Sequence, residues 1–331
     1  MAGFGWAHHH LTLNGIAAHY VEQGPADRPA VVFCHGFPML WFSWHRQIPV
    51  LAQAGYRVIA PSMRGMGRAG APEEPEAYGV DHITADLLAL LDHCGIEQAV
   101  LVGIDFGAFA IQDLALRHPE RVRAIICLEN PAAPHDPDKP PLVGYREMGE
   151  QHFLHIEYFR VPDRADRDLD ATPREFLRKV MWLLSGEASY FEVFKHPPET
   201  SYIDAMPDTP PLPWPWLTEV ELEMFVAEYS RSGFTGGLNW YRSMDIKWQQ
   251  RKPFEGVTSE VPAWFVGSER DVDLEGFHGE DPIALMRAIF PRLEDVQMIP
   301  GAGHMMPLEA ADSLNVILLA YLERIMGNSP T

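Results

Sequence analysis

Positive charge is what this chain lacks most. Its 331 residues carry 26 lysines and arginines against 46 aspartates and glutamates, a formal net charge of −20 at pH 7. Polyanions select basic surfaces, so nucleic acids and anionic membranes are excluded as partners. Long apolar runs are also missing: the longest, residues 316–322, is far too short to span a bilayer. Cysteine is scarce. Cys34, Cys94 and Cys127 are isolated, and Cys34 and Cys127 fall inside strand-like apolar runs, the pattern expected of reduced, buried thiols in a cytoplasmic protein. Residues 1–13 have no apolar stretch of the signal-peptide kind, which points the same way. His8, His9 and His10 are too few for a tag and read as a solvated lead-in to a first strand.

With 47% hydrophobic residues, the chain can bury one large core, or a core plus an insertion. Residues 99–102, Ala-Val-Leu-Val, read as a buried parallel strand, and Phe106 onward reads as a helix. Between them stands Gly103-Ile104-Asp105-Phe106-Gly107. This resembles the G-x-nucleophile-x-G elbow of α/β-hydrolases, with aspartate where serine is usual. The flanking glycines are required because a Cβ at either position would strike the adjoining strand or helix. The elbow lifts Asp105 at a helix N-terminus, where backbone N–H groups favour negative charge.

Strands alternate with helices on both sides of this stretch. Asn14-Gly15 signals a hairpin before an edge strand at His19-Tyr20-Val21. Ala30-Val31-Val32-Phe33-Cys34 is a buried strand that empties into His35-Gly36-Phe37-Pro38. The backbone N–H groups of Phe37 and Phe106 are then the expected oxyanion-hole donors. Further strands are expected at residues 56–61, 121–128, 261–267 and 296–299, with helices at 44–53, 82–94 and 313–326. The fold class is α/β, with a mostly parallel, doubly wound sheet. After Pro131 the pattern changes to proline-rich and helical, aromatic-rich segments without a strand, and residues 197–216 form a proline-heavy loop. The expected organisation is a core of residues 1–131 and 246–331 interrupted by a helical cap at 132–245.

A carboxylate at the elbow suits attack on an electrophilic sp3 carbon, giving an alkyl ester that water then cleaves. That cleavage needs a histidine base oriented by a second carboxylate. Gly267-Ser268-Glu269-Arg270-Asp271 after one strand offers Asp271, with Glu269 and Asp273 beside it. Gly301-Ala302-Gly303-His304 after the last strand offers His304.

From about Gly15 to the last helix, the chain resembles the soluble epoxide hydrolases of the α/β-hydrolase superfamily. The likeness is carried by His35-Gly36-Phe37-Pro38 with Trp41-Phe42-Ser43-Trp44, by Ala54-Gly55-Tyr56-Arg57-Val58 and by Arg64-Gly65-Met66-Gly67. Most specific is Ser232-Gly233-Phe234-Thr235-Gly236-Gly237-Leu238-Asn239-Trp240-Tyr241-Arg242. The resemblance implies that Tyr241 donates a proton to the epoxide oxygen, and it places His155 where the family usually has a second cap tyrosine. It implies an apolar epoxide and water as partners, no cofactor and no metal, with a homodimer as the assembly to test. His35, Pro38, Trp41, Phe153, Trp182 and Met305 are candidates for the pocket wall.

Four positions depart from the family pattern. Ile104 and Phe106 flank Asp105 where histidine and tryptophan are common. The missing tryptophan argues against haloalkane dehalogenases, which use its indole N–H on the leaving halide; Phe106 likewise lacks the arginine of fluoroacetate dehalogenases. His155 replaces a tyrosine. Finally, Glu129 follows the strand after the elbow and competes with Asp271 to orient His304, Asp271 being favoured by its strand-then-turn context. A non-catalytic binder on a hydrolase scaffold is the rival of a different class, although every catalytic position is filled by competent chemistry.

Overall fold

The computed structural model describes residues 6–278 and 281–327. Eight strands form one sheet: β1 (Ala7–Leu13), β2 (Ile16–Gln23), β3 (Ala30–Cys34), β4 (Arg57–Pro61), β5 (Ala99–Ile104), β6 (Val122–Leu128), β7 (Ala263–Ser268) and β8 (Leu293–Ile299). Their spatial order is β1-β2-β4-β3-β5-β6-β7-β8. β1 and β2 pair antiparallel, as do β2 and β4, and every other pairing is parallel. β3, β4, β5 and β7 are buried along their whole length, as apolar runs covered by helices on both faces must be.

The Asn14-Gly15 hairpin forms, with positive φ at both residues (46° and 79°), the backbone that a tight hairpin turn requires. It joins β1 to β2, so His8–His10 lie inside the edge strand and the stretch at His19-Tyr20-Val21 is the second strand. His8 and His19 meet across it, Nδ1 to Nε2, at 3.0 Å. The helix expected at residues 44–53 is split into a turn at Trp41–Trp44 and a helix at Ile48–Gln53, whose first turn accommodates Pro49.

Among the described residues no strand lies between β6 and β7. Helices run there from Pro141 to Arg251, and the proline-heavy loop contains one short helical turn, Tyr202–Ala205, whose Tyr202 is buried. The inserted helices dock on the sheet through Thr235–Arg242. Trp240 Nε1 donates to the Arg64 carbonyl at 2.9 Å and Asn239 Nδ2 to the Glu73 carbonyl at 2.9 Å. A Cβ at Gly236 would lie 2.1 Å from the Gly65 carbonyl oxygen, and one at Gly237 2.2 Å from the Phe37 ring. The paired glycines therefore let the helix rest directly on the loops that follow β3 and β4. The result is an α/β-hydrolase core bearing a helical cap. No helix among the described residues is long and apolar enough to cross a membrane.

The helix Phe106–Arg117 packs against β5 as tightly as the elbow glycines suggest. A Cβ at Gly107 would stand 2.1 Å from the Cys34 carbonyl oxygen of β3, and one at Gly103 2.4 Å from the Gly107 oxygen. Backbone on both sides cannot yield as a side chain would. Gly107→Ala is expected to destabilise the protein by about 1–3 kcal/mol, the usual range for an overpacked core, read as a lower urea midpoint at unchanged slope.

Candidate active site

The carboxyl ends of β3, β5, β6, β7 and β8 deliver, in turn, Phe37, Asp105, Glu129 with Asn130, Asp271, and His304. Asp105 sits at φ 53°, ψ −128°, a conformation that side-chain-bearing residues avoid and that persists only where surroundings impose it. Two hydrogen bonds do so. The Asp105 N–H donates to Asn130 Oδ1 at 2.8 Å, and the Phe37 N–H donates to Asp105 Oδ1 at 2.7 Å. The Phe106 N–H also faces the carboxylate. Both expected oxyanion-hole amides thus already engage Asp105.

His304 is held from both sides. Its backbone N–H donates to the Leu184 carbonyl at 2.8 Å, and its Nδ1 lies 2.7 Å from Asp271 Oδ2. Beside a carboxylate, Nδ1 carries the proton and Nε2 is turned toward Asp105 Oδ2, 4.0 Å away. Asp271 is completely buried. Its other oxygen accepts the N–H groups of Asp273 at 2.9 Å and Leu274 at 3.0 Å, capping the helix Val272–Gly276. Glu129 faces a different partner: its oxygens take the Ser268 N–H at 2.8 Å and the Ser268 hydroxyl at 2.6 Å. Asp271, and not Glu129, is therefore hydrogen-bonded to the imidazole.

Burial pushes the Asp105 carboxyl up to about 6, against the opposing pull of His304 and the two amides. Burial also raises Asp271, and it raises Glu129 with help from the nearby Asp271 charge. For His304 burial works downward, but Asp271, Asp273 and Asp105 together hold its pKa well above the ordinary imidazole value. The resting site is an imidazolium ringed by carboxylates.

A cavity lies between sheet and cap, bounded by Phe37, Pro38, Asp105, His155, Tyr241 and His304 among the residues expected from the sequence. The Tyr241 hydroxyl is raised by burial and by the Asp105 charge, so it stays protonated. His155 is lowered to about 4 by burial and is neutral. Phe106 turns its ring onto Trp240 and Tyr241, with centroids 5.2 and 4.7 Å apart. The Phe37 ring is surrounded by cap aromatics, 5.7 Å from Phe159, 5.9 Å from Tyr229, 6.0 Å from Tyr241 and 6.2 Å from Phe234.

Five expected wall residues do not line this cavity. His35 is fully buried, Nδ1 donating to the Gly36 carbonyl at 2.9 Å and Nε2 accepting the Met63 N–H at 3.0 Å. Trp41 packs beneath the hairpin against His8 and His19, at 5.1 and 5.6 Å. Phe153 packs on Tyr202 inside the cap, Trp182 packs on Trp214, and Met305 is buried before the turn Met306–Glu309. Large apolar side chains filled the core first. In their place the wall includes Phe159, Val180, Leu184, Tyr190, Tyr202, Val272 and Asp273.

Asn130 and Asp273 carry no motif of their own, yet they complete the site. Asn130 Nδ2 donates to Asp273 Oδ2 at 2.6 Å while its oxygen holds the Asp105 amide. The same Asp273 oxygen is 3.8 Å from His304 Nδ1. The only sign of Asp273 in the sequence was its nearness to Asp271. Asp105, Asp273 and His304 also bring donor atoms within 4.8 Å of one another, the one such trio found among the described residues that could share a cation.

Sheet order, elbow and inserted cap define an α/β-hydrolase with an aspartate at the elbow, and the family described as alpha/beta hydrolase fold matches residues 29–153. Epoxide hydrolase A of Mycobacterium tuberculosis (strain ATCC 25618 / H37Rv) is 36% identical over 314 residues, 94% of this chain and 96% of that one. Epoxide hydrolase 1 of Siraitia grosvenorii is 33% identical over 323 residues, covering 96% and 98%. The crystal structure of Epoxide Hydrolase A from Mycobacterium thermoresistibile superposes with a TM-score of 0.90 at 36% identity, covering 96% and 98%. The chain belongs to the epoxide hydrolases of the α/β-hydrolase superfamily.

Asp273 supplies negative charge to both His304 and Asp105, raising both pKa values. Work that needs neutral His304 and ionised Asp105 is lost as pH falls through those values. Asp273→Asn keeps an acceptor for Asn130 and removes the charge. It should move the acid limb of the kcat profile to lower pH, checked by steady-state rates from pH 5 to 9.

Proposed function

We propose that this chain hydrolyses an apolar epoxide to a vicinal diol through a covalent ester on Asp105, with Tyr241 and His155 acting on the epoxide oxygen and His304, oriented by Asp271, activating water. One observation carries the reading: on the wall of the cavity, Asp105 Oδ1 is tied to the Phe37 amide, while Oδ2 lies 4.0 Å from His304 Nε2.

In the first step Oδ2 attacks a ring carbon. The carbon–oxygen bond breaks with its electron pair on oxygen, and the Tyr241 hydroxyl supplies the proton while the neutral imidazole of His155 donates a hydrogen bond. Ester formation removes the Asp105 charge, one of the three that keep His304 protonated. The proton His304 then sheds restores the Tyr241 phenol. Neutral His304 next takes a proton from water as the hydroxide adds to the ester carbonyl. The oxyanion forms at Oδ1 between the Phe37 and Phe106 amides, each donor of such a hole being worth about 3–4 kcal/mol. Collapse expels the diol alkoxide, which takes the proton of the new carboxylic acid. Asp105 and the imidazolium return to their starting states.

The Phe106 side chain offers no N–H for a departing halide, and the Trp240 indole N–H is spent on the Arg64 carbonyl, so the site favours ring opening over dehalogenation. The absence of any described strand between Leu128 and Ala263 supports a division into a core of 1–131 and 246–331 and a cap of 132–245. The free thiols, two of them buried, fit a cytoplasmic site of action.

Intact-protein mass spectrometry of His304→Gln after incubation with styrene oxide is expected to show a gain of one epoxide mass, abolished by adding Asp105→Ala. Failure of wild-type protein to produce diol from styrene oxide and from terminal alkyl epoxides would defeat the proposal. In the His304→Gln background, Tyr241→Phe should slow adduct formation roughly 10²-fold or more, the scale of a lost general acid.

A further inference from the structure

A neutral imidazole stabilises an alkoxide only through a ring nitrogen that carries hydrogen, so the tautomer of His155 decides whether it can serve. The ring lines the cavity with its plane nearly perpendicular to that of Tyr241, centroids 5.8 Å apart. Its Nδ1 is hydrogen-bonded to the hydroxyl of Tyr190, from the 3-10 turn Tyr190–Lys195. Its Nε2 has no hydrogen-bond partner among the described residues.

Two arrangements are open to the Nδ1 contact. Either Nδ1–H donates to the phenol oxygen, leaving a bare lone pair on Nε2, or the phenol donates to Nδ1 and the hydrogen sits on Nε2. Tyr190 is buried, and its burial holds the phenol firmly protonated. Its O–H must go somewhere, because an unpaired buried donor costs about 1–3 kcal/mol. Among the described residues Nδ1 is its one acceptor. The backbone N–H of His155, which begins the helix His155–Arg160 and has no partner within that helix, also lies on the side of the Tyr190 oxygen. The imidazole is also braced by Phe159 at 5.8 Å and Tyr202 at 6.2 Å.

We infer that Tyr190 is a positioning residue for ring opening: by donating its hydroxyl to Nδ1 it fixes the Nε2–H tautomer of His155, turning an otherwise ambivalent histidine into a hydrogen-bond donor for the epoxide oxygen. The inference rests on the epoxide-opening role proposed above for this cavity. It assigns no proton transfer to Tyr190, whose hydrogen stays on oxygen throughout. A tyrosine at position 155 would need no such partner, since a phenol carries its donor whatever its neighbours do.

The test has two arms. In the first, 15N-histidine correlation spectra of wild-type protein and of Tyr190→Phe are recorded, His155 being assigned by its disappearance in His155→Tyr. A His155 with protonated Nε2 in wild type, and mixed or reversed protonation in Tyr190→Phe, is the expected result. A wild-type ring protonated at Nδ1 overturns the inference. This arm needs no turnover, so a protein that forms no diol would defeat the proposed function without touching it. In the second arm, single-turnover rates of adduct formation and adduct decay with styrene oxide are compared. Tyr190→Phe should slow adduct formation about tenfold, a part of the usual general-acid contribution, and leave adduct decay unchanged. It should have no effect on formation in a His155→Tyr background. An equal loss in both backgrounds, an equal loss in both half-reactions, or no loss at all would show that Tyr190 does not act through the imidazole.

Discussion

One buried imidazole balances four buried or half-buried carboxyl groups, and the site depends on that balance. Asp105, Asp271, Asp273 and Glu129 all lie near His304, in surroundings where unpaired charge is expensive. Each acid is given its own relief: Asp105 the Phe37 amide, Asp271 the ring N–H and two cap amides, Asp273 the Asn130 amide, and Glu129 the Ser268 hydroxyl and amide. Two of the four acids, Asp105 and Asp273, both line the cavity and approach His304, with Asp105 Oδ2 4.0 Å from Nε2 and Asp273 Oδ2 3.8 Å from Nδ1.

In the mechanism proposed above, the same balance gives the site its two states. With Asp105 ionised, three carboxylates keep His304 charged. Once Asp105 carries an ester, one of those charges is gone and the imidazole moves toward the neutral base. No conformational change is needed for this switch, because the charge that the first step consumes is a charge the second step requires to be absent. The strained backbone at Asp105 belongs to the same design. It is held by the Asn130 oxygen, so the group that presents the nucleophile is joined, through Asn130 and Asp273, to the group that tunes the base.

Much of this was legible in the sequence, for identifiable reasons. The elbow, the HGFP turn and Asp271 each follow a buried apolar strand, and His304 follows the last strand after a glycine-rich turn, so local pattern and chemistry agree. Tyr241 could be placed because residues 232–242 resemble the cap motif of the epoxide hydrolases, and the structure gives the glycine pair of that motif its reason in the close approach to Gly65 and Phe37. The pocket wall was not legible. Trp41, Phe153, Trp182 and Met305 are indistinguishable by composition from Phe159, Val180 and Leu184, and which of them meets the cavity depends on how cap helices cross. Asn130 and Tyr190 were invisible because what they contribute is side-chain hydrogen bonding to residues far away in the sequence. His35 shows the opposite error. Its position beside the hole suggested contact with substrate, but both ring nitrogens are committed to backbone groups and it serves the turn.

Phe37 has a double allegiance. Its amide holds the Asp105 carboxylate, yet its ring is seated among Phe159, Tyr229, Phe234 and Tyr241 of the cap, against a glycine that has no room for a methyl group. The part of the molecule that shapes the pocket and the part that stabilises charge are therefore not independent modules. Replacing cap aromatics to admit a bulkier molecule also changes the bed on which the amide rests, so selectivity and rate are bound in epistasis. Lineages and laboratory selections that remodel this cap must change those aromatics in concert, and a cap transplanted from a relative would function only if it brought a matching seat for this one ring.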